Sequence, residues 1–259
     1  MACATYPLRA LVLRKTKLGE SDLIVTLLAE NGCQVRAVAK GARKPSSPFS
    51  SRLELFSEVD LLVACGKSLD IVKEARLVNA YRGLTSDMEH AAAAAPMADL
   101  ASRLCQPGLE SPKLFALFSS AFSHAQSCDA QGALAVCAAS LLKAFSFAGF
   151  RPSLRHCVSC GASVLSDDAA SERSCVSFSA AEGGAACPSC LLFSDTVQVP
   201  VEVLKWADFL LMSTFDDIVQ TPPPVRVVFE VLHLCQLWVR EHVGTRLKSL
   251  EFLFVCGLF

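Results

Sequence analysis

No uninterrupted apolar run in this 259-residue chain approaches the roughly 18 residues of a membrane span. The longest, FLFVCGLF near the C-terminal end, has eight. Arg9, Arg14, Lys15 and Lys17 break up any apolar core that would make the first residues a secretory signal. The expectation is a cytoplasmic protein with no membrane association. Catalytic signatures are missing too. There is no Gly-x-x-x-x-Gly-Lys phosphate loop, no Gly-x-Ser-x-Gly elbow and no His-Glu-x-x-His. None of His90, His124, His156, His233 or His242 has Glu two positions later, and Ala, not Pro, precedes Cys187, which excludes a zinc deaminase. The paired carboxylates Asp167-Asp168 and Asp216-Asp217 read as helix caps or solvated turns. The chain is therefore expected not to be an enzyme. Trp and Tyr number only two each and charged residues only 19%, but hydrophobic residues make up 52%. That balance excludes a disordered chain and gives a globular protein of one to three domains.

What is present is unevenly placed. Residues 1–80 hold 12 Lys and Arg against 8 Asp and Glu, and residues 81–259 hold 12 against 17. A basic front suggests a polyanion contact and an acidic remainder suggests other partners. The front also reads as β: RALVLRKTKL, SDLIVTLLAE and CQVRAVAK, with the hairpin signal Asn31-Gly32 between the last two, then LELFSEVDLLVA and LDIVKEARLVN. Five short strands close most economically as a small barrel, which leaves few unpaired edges.

From about residue 85 the period becomes helical. Ser86 and Glu89 form a capping box opening an Ala-rich helix that Pro96 should kink or divide. SPKLFALFSSAFSHAQ, QGALAVCAASLLKAFSFAGF, VEVLKWADFLLM and PPVRVVFEVLHLCQLWVREHV continue as amphipathic helices. Between them residues 153–198 turn rich in Ser, Gly and Cys, as an insertion. We thus expect a barrel over 1–82, a helical domain over 83–152 and 196–259, and an inserted module over 153–195.

Cys157-Val-Ser-Cys160 and Cys187-Pro-Ser-Cys190 are two CxxC knuckles in that insertion. Four thiolates satisfy one structural Zn²⁺ and leave no open position for water. Gly161 and Gly183-Gly184 supply the permissive backbone that tight knuckles need. Redox dithiols and buried free thiols are alternatives, and Cys175 is a fifth candidate ligand. The other eight cysteines, Cys3, Cys33, Cys65, Cys105, Cys128, Cys137, Cys235 and Cys256, are expected to fill core space.

The segment QVRAVAKGARKPSSPFSSR, residues 34–52, carries five cations and no carboxylate: Arg36, Lys40, Arg43, Lys44 and Arg52. A single-strand-binding barrel needs a cationic groove with stacking surfaces, for which Phe49 and Phe56 are candidates, and the Gly- and Pro-containing loop would be flexible enough to close over a strand. A solvated loop whose charge serves solubility is the plainer alternative. Lys15 and Lys17 are weaker candidates on one strand face.

KGARKPSSPFSSRLELFSEVDLLVA with SLDIVKEARLVNAYRGL, then LLKAFSFAGFRPSLRHCVSCGA, FSAAEGGAACPSC and RLKSLEFL, resembles in order the landmarks of the bacterial recombination mediator family RecO. The resemblance spans the chain. It implies an α+β multidomain fold: an N-terminal five-stranded OB-fold barrel and a C-terminal all-α helical domain with an inserted four-cysteine zinc module. It also implies a DNA repair and recombination mediator that binds single- and double-stranded DNA, anneals complementary strands, and acts with RecR to load RecA onto DNA covered by single-strand binding protein, whose acidic tail it would bind. Zinc on Cys157, Cys160, Cys187 and Cys190 would support the fold, and DNA would meet Lys40, Arg43 and Lys44, with Arg36 and Arg52 beside them. PSSPFSS has fewer basic and glycine residues than the family pattern. A protein-binding adaptor with little DNA binding of its own is the alternative.

Overall fold

The computed structural model describes residues 4–165, 174–190 and 195–259. Asp167-Asp168 and Cys3 lie outside them. Packing gives two compact units, residues 1–127 and 128–259.

In the first unit, β1 (Thr5–Leu18), β2 (Asp22–Ala29), β3 (Gln34–Ala39), β4 (Glu58–Ala64) and β5 (Asp70–Asn79) form a closed OB-like barrel in the order β1-β2-β3-β5-β4. All neighbours are antiparallel except β3 and β5, which pair in parallel only at Ala37–Asp70 and Val38–Ile71. Alternation places Val12, Val25, Leu27, Val59, Leu61 and Val63 inside, and Leu53, from the segment before β4, joins this core. Asn31-Gly32 does turn the chain, but in a longer loop than two residues: the Ala29 N–H donates to Cys33 O at 2.9 Å, with Gly32 at φ 88°. β4 starts at Glu58, later than the apolar run suggests, because Phe56 adopts φ 70° and cannot extend a strand.

Helices α1 (Met88–Leu104) and α2 (Pro112–Ala125) belong to the same unit as the barrel. The N-cap of α1 is Asp87, which accepts from the His90 N–H, so the expected Ser86–Glu89 box is displaced by one residue. Nor does Pro96 divide the helix; α1 runs through it, giving up only the bond that its missing N–H would have made. Phe56 and Tyr81, two non-glycine residues with positive φ, both set ring edges against Phe122 of α2, at 5.5 and 5.8 Å between centroids. Buried Glu58 accepts from Arg9 Nε at 2.7 Å and Tyr81 Oη at 3.0 Å, tying β4 to β1 and to the chain entering the helices.

In the second unit, α3 (Ala130–Phe147) is the central helix, packed by α4 (Val201–Met212), α5 (Phe215–Gln220) and α6 (Val225–His242), with α7 (Lys248–Val255) against α6. By length and composition α3 could cross a membrane, but 72% of it is buried inside the protein, as in a core helix. Lys143 of α3 donates to the Leu211 and Ser213 carbonyls at 2.8 and 2.7 Å, capping the end of α4, and burial pulls its pKa down to about 8. Asp217 forms a capping box with Thr214 at the start of α5, the structural role expected for that carboxylate. Between α3 and α4 lies a small antiparallel sheet, ordered β7 (Gly184–Ala186), β6 (Cys175–Ser179), β8 (Val197–Pro200). The three-part division expected from the sequence, with its first boundary at 82, is kept as a proposal about folding units, since by packing α1 and α2 go with the barrel.

Candidate metal centre and nucleic-acid interface

The first knuckle is held by short backbone bonds: Cys157 N–H to Ala162 O at 2.8 Å, Gly161 N–H to Cys157 O at 2.9 Å, and Val158 N–H to Ala185 O at 2.9 Å, which joins it to β7. Gly161 turns it at φ 74°. Gly184 has a second reason to lack a side chain, because a Cβ there would lie 2.2 Å from the Ser153 carbonyl oxygen. The second knuckle closes with Cys190 N–H to Cys187 O at 3.0 Å.

This brings the Sγ atoms of Cys157, Cys160, Cys187 and Cys190 within 4.8 Å of one another. Cys160 and Cys187 Sγ are 3.7 Å apart. A tetrahedron with metal–sulfur distances of about 2.3 Å has edges of about 3.8 Å, so the cluster is the right size for such an ion. Its electrostatics agree. The backbone N–H of Cys187, foremost, and those of Cys160 and Ser159 hold the Cys157 thiol down to about 6, whereas the Cys160 and Cys187 thiols push Cys190 up. Four thiolates so close cannot all carry charge without a cation among them. The group can hold a metal ion, and its donor set is compatible with zinc. Cys175, exposed at the start of β6, is not part of the cluster. Among the remaining cysteines, Cys105, Cys137 and Cys235 are buried as expected, but Cys65 is exposed and Cys33, Cys128 and Cys256 only half-buried.

The five basic candidates are distributed over the barrel. Residues 40–57 fold as consecutive turns fastened at several points, not as a loose flap. Asp22 accepts from the Gly41 N–H at 2.7 Å, and the Arg43 N–H donates to Ser21 O at 2.9 Å. That Gly41 bond, the Ser21 hydroxyl and the nearby charges of Lys40 and Lys44 hold the Asp22 carboxyl below its usual range. Arg43 Nη1 grips the carbonyls of Gly19 and Glu20 at 2.9 and 2.8 Å. Lys40, Arg43 and Lys44 thus converge, exposed, about the β1–β2 turn. Arg36 is exposed further along β3, opposite Thr26. Arg52 sits apart from them, its Nη1 donating to Ala75 O of β5 at 3.0 Å. Phe56 is only 3% exposed and unable to stack on a base. Phe49 is half-buried against the barrel core with one face in a surface cleft. Lys15 is paired with Glu54 at 2.6 Å, while Lys17 is exposed. Lys73 and Arg76 of β5, which line the same cleft, were not singled out by sequence because isolated cations on a strand carry no motif.

The OB-like barrel with its cationic turn lies within the residues matched by one family model, and the four-cysteine module within those matched by a second. Recombination protein O N terminal matches residues 1–81 and Recombination protein O C terminal matches residues 85–251. The chain belongs to the RecO family. It is 34% identical to DNA repair protein RecO of Bifidobacterium animalis subsp. lactis (strain AD011) over 257 residues, covering 96% of this chain and 99% of that one. Against DNA repair protein RecO of Nocardioides sp. (strain ATCC BAA-499 / JS614) it is 34% identical over 253 residues, 96% and 98% of the two chains. Against that of Frankia casuarinae (strain DSM 45818 / CECT 9043 / HFP020203 / CcI3) it is 37% identical over 190 residues, 71% and 73%. The barrel and the cysteine module are therefore parts of a RecO-family DNA repair protein.

Proposed function

We propose that this protein is a non-enzymatic recombination mediator. The barrel holds single-stranded DNA by its phosphates at the β1–β2 turn, favours pairing of complementary strands by lowering their mutual repulsion, and works with RecR to load RecA onto DNA covered by single-strand binding protein. The observation that carries this is the convergence of exposed Lys40, Arg43 and Lys44 on an anchored turn of an OB-like barrel, in a chain whose relatives are DNA repair proteins. Arg43 commits part of its guanidinium to fixing the turn, so Lys40 and Lys44 are the cleaner phosphate contacts, with Arg36 extending the path. Zinc on the four cysteines is structural. An acidic, apolar tail from single-strand binding protein would need an apolar floor beside a cation. The cleft of about 520 Å³ on α4 offers Trp206 and Phe209 as such a floor, with Lys205 and Glu202 in its lining.

The test is fluorescence anisotropy of labelled oligo(dT) at several salt concentrations. Native protein should bind with steep salt dependence, and Lys40→Ala/Lys44→Ala should bind more weakly with a slope shallower by about 1.4, at about 0.7 per lost phosphate contact. Absence of binding by the native protein would favour the adaptor alternative.

A further inference from the structure

The wall of the barrel formed by β4 and β5 carries an open cleft of about 810 Å³, toward the upper end of the roughly 300–1,000 Å³ usual for ligand clefts. Its apolar surface comes from Pro7, Pro48, Phe49, Leu62 and Leu77; its charged residues are Arg52, Lys73, Arg76, Asp60 and Glu74. Arg76 Nη2 bonds Asp60 Oδ2 at 2.8 Å, so that pair cancels. Arg52 and Lys73 then face Glu74 alone, and the cleft is left with a cationic excess. Arg52 uses one of its five N–H groups on Ala75 O, which orients it and leaves donors for a ligand.

We infer that this cleft is a second track for a single nucleic-acid strand, with bases against Phe49 and Pro48 and phosphates toward Arg52 and Lys73. The inference rests on the DNA-binding function proposed above and adds a location and a role to it. Stacking surfaces flanked by cations are what a strand recognised without sequence preference requires. An extended peptide adding to β5 would meet the Ala75 carbonyl already bonded to Arg52. One segment, residues 40–57, supplies both places: Lys40, Arg43 and Lys44 at the β1–β2 turn, and Pro48, Phe49 and Arg52 at the β4–β5 cleft. A barrel with two such tracks can hold two strands at once, and their phosphates are then screened by different cations, Lys40 and Lys44 at the turn and Arg52 and Lys73 in the cleft.

The experiment uses the full chain, fluorescein-labelled oligo(dT) and two opposite charge changes at exposed positions, Lys73→Glu and Glu74→Lys. Lys73→Glu should weaken binding roughly threefold to tenfold and make the salt slope shallower by about 0.7. Glu74→Lys should tighten binding, a gain that misfolding cannot mimic, and a photoreactive oligonucleotide should crosslink to the peptide containing Phe49. If both variants bind like the native protein while Lys40→Ala/Lys44→Ala is impaired, DNA binding stands and the second track is wrong. If the native protein binds no DNA, the proposed function fails and takes the track with it. If binding of poly-L-glutamate, and not of DNA, follows the two charge changes, the cleft belongs to an acidic polypeptide and the inference is overturned.

Discussion

Asp87 shows how a single residue departs from a sequence pattern while keeping its logic. Ser86 followed by Glu89 satisfies the capping-box spacing, yet the Ser86 hydroxyl donates to Gly83 O and the Asp87 carboxylate takes the cap. The His90 backbone N–H, first, and its ring hold the Asp87 carboxyl down to about 2. A carboxyl with a lowered folded pKa contributes stability that is fully present above its unfolded pKa of about 3.9 and is lost as pH falls through the folded value. Thermal stability should therefore decline between about pH 4 and pH 2 as this cap is protonated. In Asp87→Asn, which keeps an acceptor but cannot titrate, that part of the decline should vanish from melting curves recorded by circular dichroism. At the same scale, sequence located the cations but not their duties. Nothing in KGARK says that Arg43 would grip the Gly19 and Glu20 carbonyls, or that Arg52 would bond β5 and not join the others, because both depend on chain neighbours far away in sequence.

Elements with strong periodicity were legible: the five barrel strands and the helices α2, α3, α4 and α6 lie on the apolar runs that predict them, except that β4 starts only at Glu58, five residues into its run. What escaped was what packs on what. Phe56 reads as a strand residue and a base-stacking candidate, but its left-handed backbone turns it into the interior, where it and Tyr81 meet Phe122. Positive φ costs such residues about 1–3 kcal/mol each, so the surrounding packing must hold them there. Phe122 is the shared support, fully buried on α2. Phe122→Ala should cost about 3–5 kcal/mol in urea unfolding, the upper end of core truncations. Tyr81→Phe keeps the ring contact and removes the hydroxyl's bonds to Glu58 and to Ser119, each 3.0 Å long, and should cost about 1.5–3 kcal/mol. If Tyr81→Phe were the more damaging of the two, the hydroxyl bonds and not the ring packing would be what holds β4 to the helices. The cysteine knuckles, by contrast, were fully readable, because CxxC fixes its own local geometry and needs only one other pair to meet.

Across the whole molecule, the scarce chromophores divide cleanly. Both tyrosines, Tyr6 and Tyr81, lie in the unit of residues 1–127, and both tryptophans, Trp206 and Trp238, lie in the unit of residues 128–259. Trp238 is also wired to the cysteine module: its Nε1 donates to Phe150 O at 2.9 Å, just before the first knuckle, and its ring packs on Phe178 of β6, 5.8 Å between centroids. A metal that binds only the folded module adds its binding free energy to that module's stability. Chelation, or Cys187→Ser, should therefore shift the tryptophan emission to the red and lower the transition that tryptophan reports. The tyrosine second-derivative absorbance and the affinity for oligo(dT) should stay near native, because the cationic turn and the β4–β5 cleft are built entirely from residues of the first unit. Loss of DNA binding in step with the tryptophan change would mean that the metal module takes part in holding DNA, and that the barrel alone does not account for the phosphate contacts.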